Sequence, residues 1–434
     1  MTSLIVHGGR PLRGAVTPSA NKNAVLPILC ATLLTDQPIT LLGVPDITDV
    51  RKILAFFRGL GSVVELDEAS GTLHLRHGPA LDRAAARLPA DAGMRSLIML
   101  APALLHRFGE AVLGDEVKGC TLGAREIDPH IEVFEAFGAA VQAQGEAVRV
   151  AAPSGFAATN HWLDYASVTT TENFVMCAVV AKGTSRLVNA ACEPHVQEFC
   201  RFLNLMGAKI GGVGASTLTV EGVETLSGAT YRFDDDFHEI ATFLAIGAIT
   251  GGEITVKNAA PEQFALIDRT FGKFGIAVAH HDGWSTARCD GPLRVRAPFT
   301  GHILQKVEAA PWPYVPVDLL PIFVALGVKA EGSVMFWNKV YEGALGWTSE
   351  VAKFGGHAVL CDPHRVITFG GKPLSPAEVE SPYIIRVAIA LFMLAAGIEG
   401  RSVIANAQPI QRAHPRFVEN LNAVGAEVEW VAGD

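Results

Sequence analysis

The segment EAFGAAVQA at residues 135–143 decides the fold, because it joins the end of a polar helix, a glycine and the start of a strand. A glycine directly after a helix supplies the left-handed residue that ends it. The same step occurs six times, at intervals of about 70–80 residues. Its glycines are Gly61, Gly138, Gly207, Gly275, Gly355 and Gly425. The chain therefore repeats one structural unit.

The part of the unit that precedes each glycine also repeats. Segments such as AITGGEITVKNAAPE (residues 248–262) give a turn, a strand and a polar helix start. This unit exceeds the about 20–50 residues of solenoid repeats, so we expect a small α/β fold used six times. Single cores stop growing near about 250–300 residues, and 434 residues therefore indicate two domains of three units each.

Composition indicates a compact protein outside the membrane, with 49% hydrophobic and 18% charged residues. The longest apolar runs, residues 24–34 and 387–398, are shorter than the roughly 18 residues that span a bilayer, and we predict buried helices there. The first residues show no long apolar stretch behind a basic end, as a secretory signal would. We expect a cytoplasmic protein.

Charge and cysteine usage exclude other classes of partner. A net charge of −9 makes nucleic acid an unlikely ligand, although a local basic pocket could hold a small phosphate. The seven cysteines are scattered and never spaced C-x-x-C, so we predict free thiols and no zinc site. Residues 280–282 read HHD, but histidines in an apparent turn are usually solvated, and we predict no metal and no cofactor.

One cysteine stands in a setting where thiols react. The segment KGCTLGAR at residues 118–125 places Cys120 among glycines, with Lys118 and Arg125 on either side. Access and a positive local field both tune the pKa of a thiol, so this pattern favours a functional cysteine. The alternative is a small residue in a loop.

Two further residues stand at the starts of apolar helices. Lys22 lies between two asparagines, where unpaired amides and the helix dipole attract anions. It would bind an anion or, alternatively, be a solvated lysine beside an asparagine cap. Asp318, in VPVDLLPIF, is either a site carboxylate or a helix N-cap.

Arginines and hydroxyl groups complete the candidate set. Arg386 lies in the apolar segment IIRVAIALF and needs an anionic partner if it is buried. Residues 165–173 form a hydroxyl-rich turn in the pattern. The remaining candidates are Arg95, Arg125 and Arg412. A thiol, a lysine, four arginines and an aspartate suit a cleft between two domains that closes on a phosphorylated anion.

The chain resembles the enolpyruvyl transferase family from end to end. The resemblance is carried by KN before AVLPILCATLL, by PDITDVRKIL, MRS, GCTLGAREIDPHI, SVTTTEN and VPVD, and by the six repeats. It is closest to UDP-N-acetylglucosamine enolpyruvyl (1-carboxyvinyl) transferase. The Gly-Cys-x-x-Gly-Ala-Arg loop distinguishes that branch from 5-enolpyruvylshikimate-3-phosphate synthase.

The resemblance implies a two-domain inverted α/β barrel, with helices inside and sheets outside. Each domain would hold three βαβαββ-like units. The chain would start in one domain, build the other and return. Residues 22–232 would then form the domain with the Cys120 loop, residues 1–21 and 233–434 would form the second, and the active site would lie in the cleft.

The resemblance also implies the chemistry: the enolpyruvyl group of phosphoenolpyruvate is transferred to a sugar hydroxyl by addition and then elimination of phosphate, without a metal. Cys120 matches the general acid at the C3 methylene, and Asp318 matches the residue that takes the hydroxyl proton. Lys22 matches a cation that serves both binding and catalysis. The phosphoenolpyruvate-binding set is Lys22, Arg95, Arg125, Arg386 and Arg412. The acceptor-binding set is Asn23, Arg125, Asp128, Ser167, Val168, Thr169 and Asp318.

The chain departs from the family near the acceptor's diphosphate and amino sugar. The usual Ser-Val-Gly-Ala-Thr is Ser-Val-Thr-Thr-Thr at residues 167–171, which adds a side chain where amides approach phosphate. Asp-Arg-Ile-Glu becomes Asp-Phe-His-Glu at residues 236–239, and Glu-Asn-Arg-Phe becomes Glu-Gly-Ala-Leu at residues 342–345. Asp-Leu-Arg becomes Ile-Ile-Arg at residues 384–386.

Arg125 and Asp128 of the uracil-reading loop remain, so we expect a uridine nucleotide to be bound. The pattern resembles the divergent transferases of nikkomycin- and polyoxin-type nucleoside antibiotic pathways, which act on the 3′-hydroxyl of UMP. The alternative acceptor is UDP-N-acetylglucosamine of peptidoglycan synthesis. A catalytically inactive binding paralogue is a further alternative, motivated by Ala344 in place of an arginine.

We predict that Cys120 is the thiol alkylated most readily by an anionic epoxide of the fosfomycin type, because the cationic surroundings bind the phosphonate and orient the sulfur. Cys177, in the apolar FVMCAVV, should stay unmodified. Cys120→Ser should lose most turnover, whereas Cys120→Asp should keep activity and resist the epoxide. Peptide mapping checks this, and a label spread evenly over the seven cysteines would contradict it.

Overall fold

The computed structural model describes residues 2–86, 95–114, 127–145 and 147–432, without the side chains of residues 85, 95, 96, 144 and 412. Its strands are β1 (Thr2–Gly8), β2 (Arg13–Val16), β3 (Ile39–Leu42), β4 (Val63–Asp67), β5 (Thr72–Arg76), β6 (Glu110–Leu113), β7 (Ala140–Gln144), β8 (Ala147–Ala151), β9 (Asn160–Trp162), β10 (Thr184–Val188), β11 (Lys209–Gly211), β12 (Thr217–Glu221), β13 (Thr230–Arg232), β14 (Glu253–Lys257), β15 (Ile276–His281), β16 (Trp284–Cys289), β17 (Gln305–Ala309), β18 (Gly332–Asn338), β19 (Ala358–Asp362), β20 (Arg365–Gly370), β21 (Glu378–Glu380), β22 (Gly400–Ala405) and β23 (Glu427–Ala432).

Helices alternate with these strands. The α-helices are α1 (Lys22–Thr32), α2 (Thr48–Gly59), α3 (Ala101–Phe108), α4 (Asp128–Ala136), α5 (Val168–Val179), α6 (Pro194–Leu205), α7 (Phe237–Ile249), α8 (Ala265–Gly272), α9 (Leu320–Lys329), α10 (Ile385–Ala396), α11 (Pro409–Ala413) and α12 (Phe417–Ala423). Short 3₁₀ helices occupy Arg83–Ala85, Arg95–Leu100, Pro261–Phe264, Val317–Leu319 and Gly346–Phe354. None of the helices in the described part of the chain is long and apolar enough to cross a membrane.

The chain forms two compact units. Within the described residues, the terminal unit comprises residues 2–19 and 235–432, and the central unit comprises residues 20–234. The predicted boundaries lay after residues 21 and 232, close to these positions. The N-terminal segment therefore belongs with the C-terminal half of the chain.

Five of the six sheets that the described residues form share one strand order. In each, an edge strand pairs in parallel with a second strand, which is followed by two antiparallel pairings. The orders are β13-β3-β5-β4 and β9-β10-β12-β11 in the central unit, and β2-β14-β16-β15, β17-β18-β20-β19 and β21-β22-β1-β23 in the terminal unit. The described strands of the sixth sheet, β6-β8-β7, have only the antiparallel pairings. Within the part of the chain that the structure describes, each unit thus contains three sheets.

The six repeated glycines end helices in the left-handed conformation, with φ angles from 79° to 99°. The N–H of each donates to the carbonyl three residues earlier, as in Gly138 to Glu135 (2.8 Å). At Gly61, Gly138, Gly207 and Gly425 no heavy atom lies within 4 Å of an added Cβ, so the backbone angle, rather than close packing, requires glycine.

Buried helices occupy the centre of each unit. Every residue of α7 is buried, and α7, α9 and α10 contact one another in the terminal unit. In the central unit α1 contacts α5, and α5 contacts α3. The predicted apolar helices at residues 24–34 and 387–398 are α1 and α10, and both lie in the hydrophobic cores. Strands β14 and β16 pack against α7 in the terminal unit, and strands β10 and β12 pack against α5 in the central unit.

We predict that Phe323→Ala strongly destabilises the terminal unit. The Phe323 side chain is fully buried, 5.2 Å from the Phe271 ring and 6.2 Å from the Phe274 ring between centroids. Phe→Ala at such sites costs about 3–5 kcal/mol. Phe299→Ala is the matched control, because Phe299 is fully exposed. Urea unfolding checks this, and equal losses of unfolding free energy in both variants would contradict it.

Candidate active site

Lys22 is held at the start of α1 by a buried carboxylate. Asn21 caps the helix, with Oδ1 accepting the N–H of Asn23 at 2.9 Å. The Lys22 ammonium forms an ion pair with Asp49, near the start of α2. The Lys22 side chain is 18% exposed and that of Asp49 is 4% exposed. The lysine is therefore a positioned cation at a helix N-terminus rather than a freely solvated one.

Residues 165–173, predicted as a hydroxyl-rich turn, contain the N-cap and first residues of α5 instead. Ser167 is the N-cap, and its Oγ accepts the N–H of Thr170 at 3.4 Å. Thr171 Oγ1 donates to the Ser167 carbonyl at 2.7 Å and accepts the N–H of Ala191 at 2.9 Å. Alternative local hydrogen bonding makes a Ser-Thr run ambiguous between turn and helix cap, which explains the difference.

The starts of α4 and α5 meet at a buried histidine. Asn173 Nδ2 donates to His130 Nδ1 at 2.9 Å, so His130 Nε2 carries the proton. That nitrogen lies 3.4 Å from Thr169 Oγ1. Asp128 begins α4 two residues earlier and is exposed. The structure thus places Thr169, one of the predicted acceptor residues, beside a histidine that follows Asp128 by two residues.

A network of buried ionisable side chains lies at the start of α7. Asp236 caps the helix, and its Oδ1 accepts the backbone N–H of His238 at 2.9 Å and lies 3.1 Å from His238 Nδ1. Arg386 Nη2 lies 4.0 Å from Asp236 Oδ2, and Arg386 Nη1 donates to His414 Nε2 at 2.8 Å. His414 Nδ1 lies 3.6 Å from Glu239 Oε2. Asp236 supplies the anionic partner that a nearly buried arginine requires.

These contacts set the charge state of Asp236. Burial by itself would raise the pKa of this carboxyl. The hydrogen bond from His238 and the positive charge of Arg386 outweigh burial, and the pKa is lowered below its ordinary value. Asp236 therefore stays ionised, and its charge is balanced inside the unit.

Asp318 is the exposed member of this network of ionisable groups. It lies in the 3₁₀ turn Val317–Leu319 directly before α9. Its side chain is 40% exposed, whereas that of His238, whose Nε2 lies 4.0 Å from Asp318 Oδ2, is 3% exposed. A carboxylate that reaches solvent while contacting a buried imidazole can accept a proton from a bound hydroxyl.

Asp236, Glu239 and His414 offer ligand atoms within 4.8 Å of one another, a donor set that could hold a metal ion. Their contacts favour an ion-pair network instead. Arg386 already places its guanidinium against Asp236 and His414, and Glu239 Oε2 accepts the N–H of Ser19 at 2.8 Å. A divalent cation there would face that guanidinium at close range.

A second histidine has the contacts of a hydrolase triad but not its accessibility. His280 lies in β15, not in a turn, and bonds Ser285 Oγ at 2.7 Å and Asp268 Oδ2 at 2.8 Å. Ser285 is fully buried, and its Oγ accepts a bond from Asn258 at 2.9 Å. A substrate cannot reach that hydroxyl, so these residues stabilise the fold.

Several predicted residues fall outside this description. Cys120 and Arg125 lie outside the described residues, and the side chains of Arg95 and Arg412 are not described. Cys177 is fully buried as expected, and burial raises the pKa of its thiol. Cys361 is exposed and provides an accessibility control for labelling of Cys120.

Sequence patterns missed three residues of these clusters: Asp49, His130 and His414. Asp49 lies in the first turn of α2, in a segment quoted above for its resemblance. His130 follows Asp128 by two residues, and His414 follows Arg412 by two. Their proximity to predicted site residues was the one signal that could have identified them.

Comparison with known proteins agrees with this architecture. Residues 6–421 match the family model for EPSP synthase (3-phosphoshikimate 1-carboxyvinyltransferase). The chain is 35% identical over 434 residues to UDP-N-acetylglucosamine 1-carboxyvinyltransferase of Borreliella burgdorferi, covering 99% of each chain. It is 36% identical to the enzyme of that name from Bradyrhizobium diazoefficiens, covering 98% of this chain and 97% of the relative.

Solved structures show the same fold. The enolpyruvyl transferase NikO from Streptomyces tendae superposes with a TM-score of 0.87 at 22% identity, covering 100% of this chain and 99% of NikO. EPSP synthase from Acinetobacter baumannii gives a TM-score of 0.77 at 17% identity, covering 100% of both chains. The match along nearly the whole chain, together with the fold, shows that this protein belongs to the enolpyruvyl (carboxyvinyl) transferase family.

Proposed function

We propose that the protein transfers the enolpyruvyl group of phosphoenolpyruvate to a sugar hydroxyl of a uridine nucleotide, with UMP as the acceptor. The observation that carries the transfer step is the accessible carboxylate of Asp318 at the end of a buried, charge-balanced network. It suits removal of the hydroxyl proton as the oxygen attacks C2 of phosphoenolpyruvate. Phosphate then leaves in the elimination step.

The binding of phosphoenolpyruvate is assigned to a set of cations. Lys22 is fixed by Asp49 at the N-terminus of α1, where amides and the helix dipole add positive potential. Arg386 is fixed by His414 and Asp236 at the start of α10. Arg95, Arg125 and Arg412 complete the set by resemblance. Such preorganised charge stabilises the anionic ketal more than the separate substrates.

Thr169 supports UMP as the acceptor. The family's usual glycine at this position would leave the first amides of α5 open to a diphosphate. The hydroxyl of Thr169 lies 3.4 Å from His130 Nε2, so its side chain points toward the start of α4, where Asp128 would contact the uracil. A methyl group there excludes part of a larger acceptor, while Ser167, Val168 and Asn23 stay available to a smaller one.

UDP-N-acetylglucosamine is the second candidate acceptor, because relatives that are 34–36% identical over nearly the whole chain carry its name. Both acceptors are uridine nucleotides, and either reaction would take place in the cytoplasm. Mass spectrometry of products formed from phosphoenolpyruvate with UMP, UDP, uridine and UDP-N-acetylglucosamine separates them. Phosphate release with none of them would favour an inactive binding paralogue.

We predict that Lys22→Ala raises KM for phosphoenolpyruvate by about 10- to 100-fold, since a hydrogen bond to a charged group contributes about 1.5–3 kcal/mol. Lys209→Ala is the matched control, because Lys209 pairs with Glu221 on the exposed face of the central unit. Steady-state phosphate release measures both. An unchanged KM in Lys22→Ala would remove this lysine from the site.

We predict that Thr169→Gly improves binding of UDP-N-acetylglucosamine relative to UMP by about tenfold, because it removes the methyl and opens the first amides of α5. Thr169→Ser should give a smaller change, since it keeps the hydroxyl near His130 and removes only the methyl. Calorimetric titration of both nucleotides against the three proteins measures this. Tighter binding of UDP-N-acetylglucosamine than of UMP by the unmodified protein would overturn the UMP assignment.

A further inference from the structure

His238 lies between two carboxylates at the start of α7. Its Nδ1 is 3.1 Å from Asp236 Oδ1, and its Nε2 is 4.0 Å from Asp318 Oδ2. An ionised carboxylate only accepts hydrogen bonds, so the Asp236 contact places the proton on Nδ1. In the neutral ring, the Nε2 lone pair then faces Asp318. The tautomer is thus set by Asp236.

Packing fixes the plane of this ring. The Phe237 ring lies 3.9 Å from the His238 ring between centroids, at 31°, and Phe237 also packs edge-on against Trp312. The His238 side chain is 3% exposed and belongs to a helix that is buried throughout. The imidazole is therefore held in one orientation, with one nitrogen toward the exposed carboxylate of Asp318.

A structural cap does not require an imidazole at this position. Asp236 already accepts the backbone N–H of His238, and this bond needs no side chain. The family pattern Asp-Arg-Ile-Glu has an apolar residue here. The ring adds two polar contacts that an isoleucine could not make, Nδ1 with Asp236 and Nε2 with Asp318, and the second is directed at the exposed carboxylate.

We propose that His238 is a positioning residue for Asp318, an inference that rests on the proposed function. It takes over, at Nε2, the proton that Asp318 receives from the acceptor. The acceptor O–H bond breaks as its oxygen bonds to C2 of phosphoenolpyruvate. The proton moves to Asp318 Oδ2 and on to His238 Nε2, which leaves Asp318 ionised. A separate proton from the general acid reaches C3.

The elimination step restores every group. The bond from C2 to the phosphate oxygen breaks, the general acid recovers its proton from C3, and phosphate leaves. His238 returns its proton through Asp318 to the departing phosphate or to water. The imidazolium formed in between is flanked by Asp236 and Asp318, with the positive charge of Arg386 on the far side of Asp236. Two carboxylates against one imidazolium favour this intermediate charge.

The distance between His238 Nε2 and Asp318 Oδ2 is longer than a hydrogen bond. Catalytic hydrogen bonds in unliganded proteins are often long and tighten when substrate binds. Asp318 lies in a one-turn 3₁₀ segment with a 40% exposed side chain, so rotation of its carboxyl can close the gap. His238, held by Asp236 and Phe237, is the fixed partner.

Two substitutions of His238 distinguish the contribution of Nδ1 from that of Nε2. The amide of His238→Asn reaches the Nδ1 position and keeps the Asp236 contact. The amide oxygen of His238→Gln reaches the Nε2 position and can accept a hydrogen bond from Asp318 once that carboxyl is protonated. We expect kcat to fall about 10- to 100-fold in His238→Asn, a share of the 10²–10⁴ typical of general acid–base groups, with KM for phosphoenolpyruvate within about twofold. His238→Gln should recover part of kcat.

A double-mutant cycle with Asp318→Asn tests whether His238 acts through Asp318. Residues that act as a unit are not additive, so His238→Asn should slow single-turnover product formation no further in the Asp318→Asn protein. His280→Asn is the matched control, because His280 bonds Asp268 and Ser285 in the same unit. Thermal unfolding of each variant reports any loss of folded protein.

The outcomes are distinct. An unchanged kcat in His238→Asn, or equal additive losses with Asp318→Asn, would overturn the role of His238 while the unmodified protein still releases phosphate. Absence of phosphate release by the unmodified protein with every acceptor would overturn the proposed function and this inference with it. A loss that follows the melting temperature in both His238→Asn and His280→Asn would assign His238 to the fold.

Discussion

The buried N-terminus of α7 imposes the constraint on which the terminal unit depends. All thirteen residues of the helix and its N-cap Asp236 are buried, so water cannot solvate the carboxylates of Asp236 and Glu239. Their partners come from distant parts of the chain: Ser19, Arg386 and His414. Removing one partner of a buried ion pair such as Arg386 with Asp236 costs about 3–5 kcal/mol. The backbone N–H of Ser19 and the side chain of His414 contact Glu239, so both ends of the chain contribute to the same network.

The features of the fold that could be predicted are those with a local sequence pattern. The glycine steps and the apolar helices are local patterns, and each requires only a few neighbouring residues to be recognised. The parallel pairing of the edge strands β2 and β13 has no such local pattern. β2 leads directly into α1 of the central unit but pairs with β14 of the terminal unit, and β13 leads into α7 but pairs with β3. Pairing between strands more than 180 residues apart leaves no local signal, and the division of the chain was anticipated only by resemblance.

The predictability of the site residues also depended on whether a local sequence pattern marks them. Lys22 and Asp318 stand at helix starts, where polar residues before an apolar run can be recognised. Their partners lack such a signal. Asp49, which pairs with Lys22, is an acidic residue in an ordinary amphipathic helix. His238, which lies near Asp318, stands out in the sequence only because it departs from the family pattern Asp-Arg-Ile-Glu. The pattern at residues 165–173 predicts a turn where α5 begins, because hydroxyl side chains stabilise turns and helix N-caps equally well.

The replacement of Arg-Ile by Phe-His at residues 237 and 238 has two effects with one geometric cause. Successive residues of a helix point about 100° apart, so a polar group at 238 cannot serve the direction that 237 serves. Phe237 directs an aromatic ring toward Trp312, and His238 directs a nitrogen toward Asp318. The chain has therefore lost a cation on one side of α7 and gained a proton acceptor on another. Because Phe237 also fixes the plane of His238, the first change supports the second, and the pair is better understood as one adaptation than as two independent substitutions.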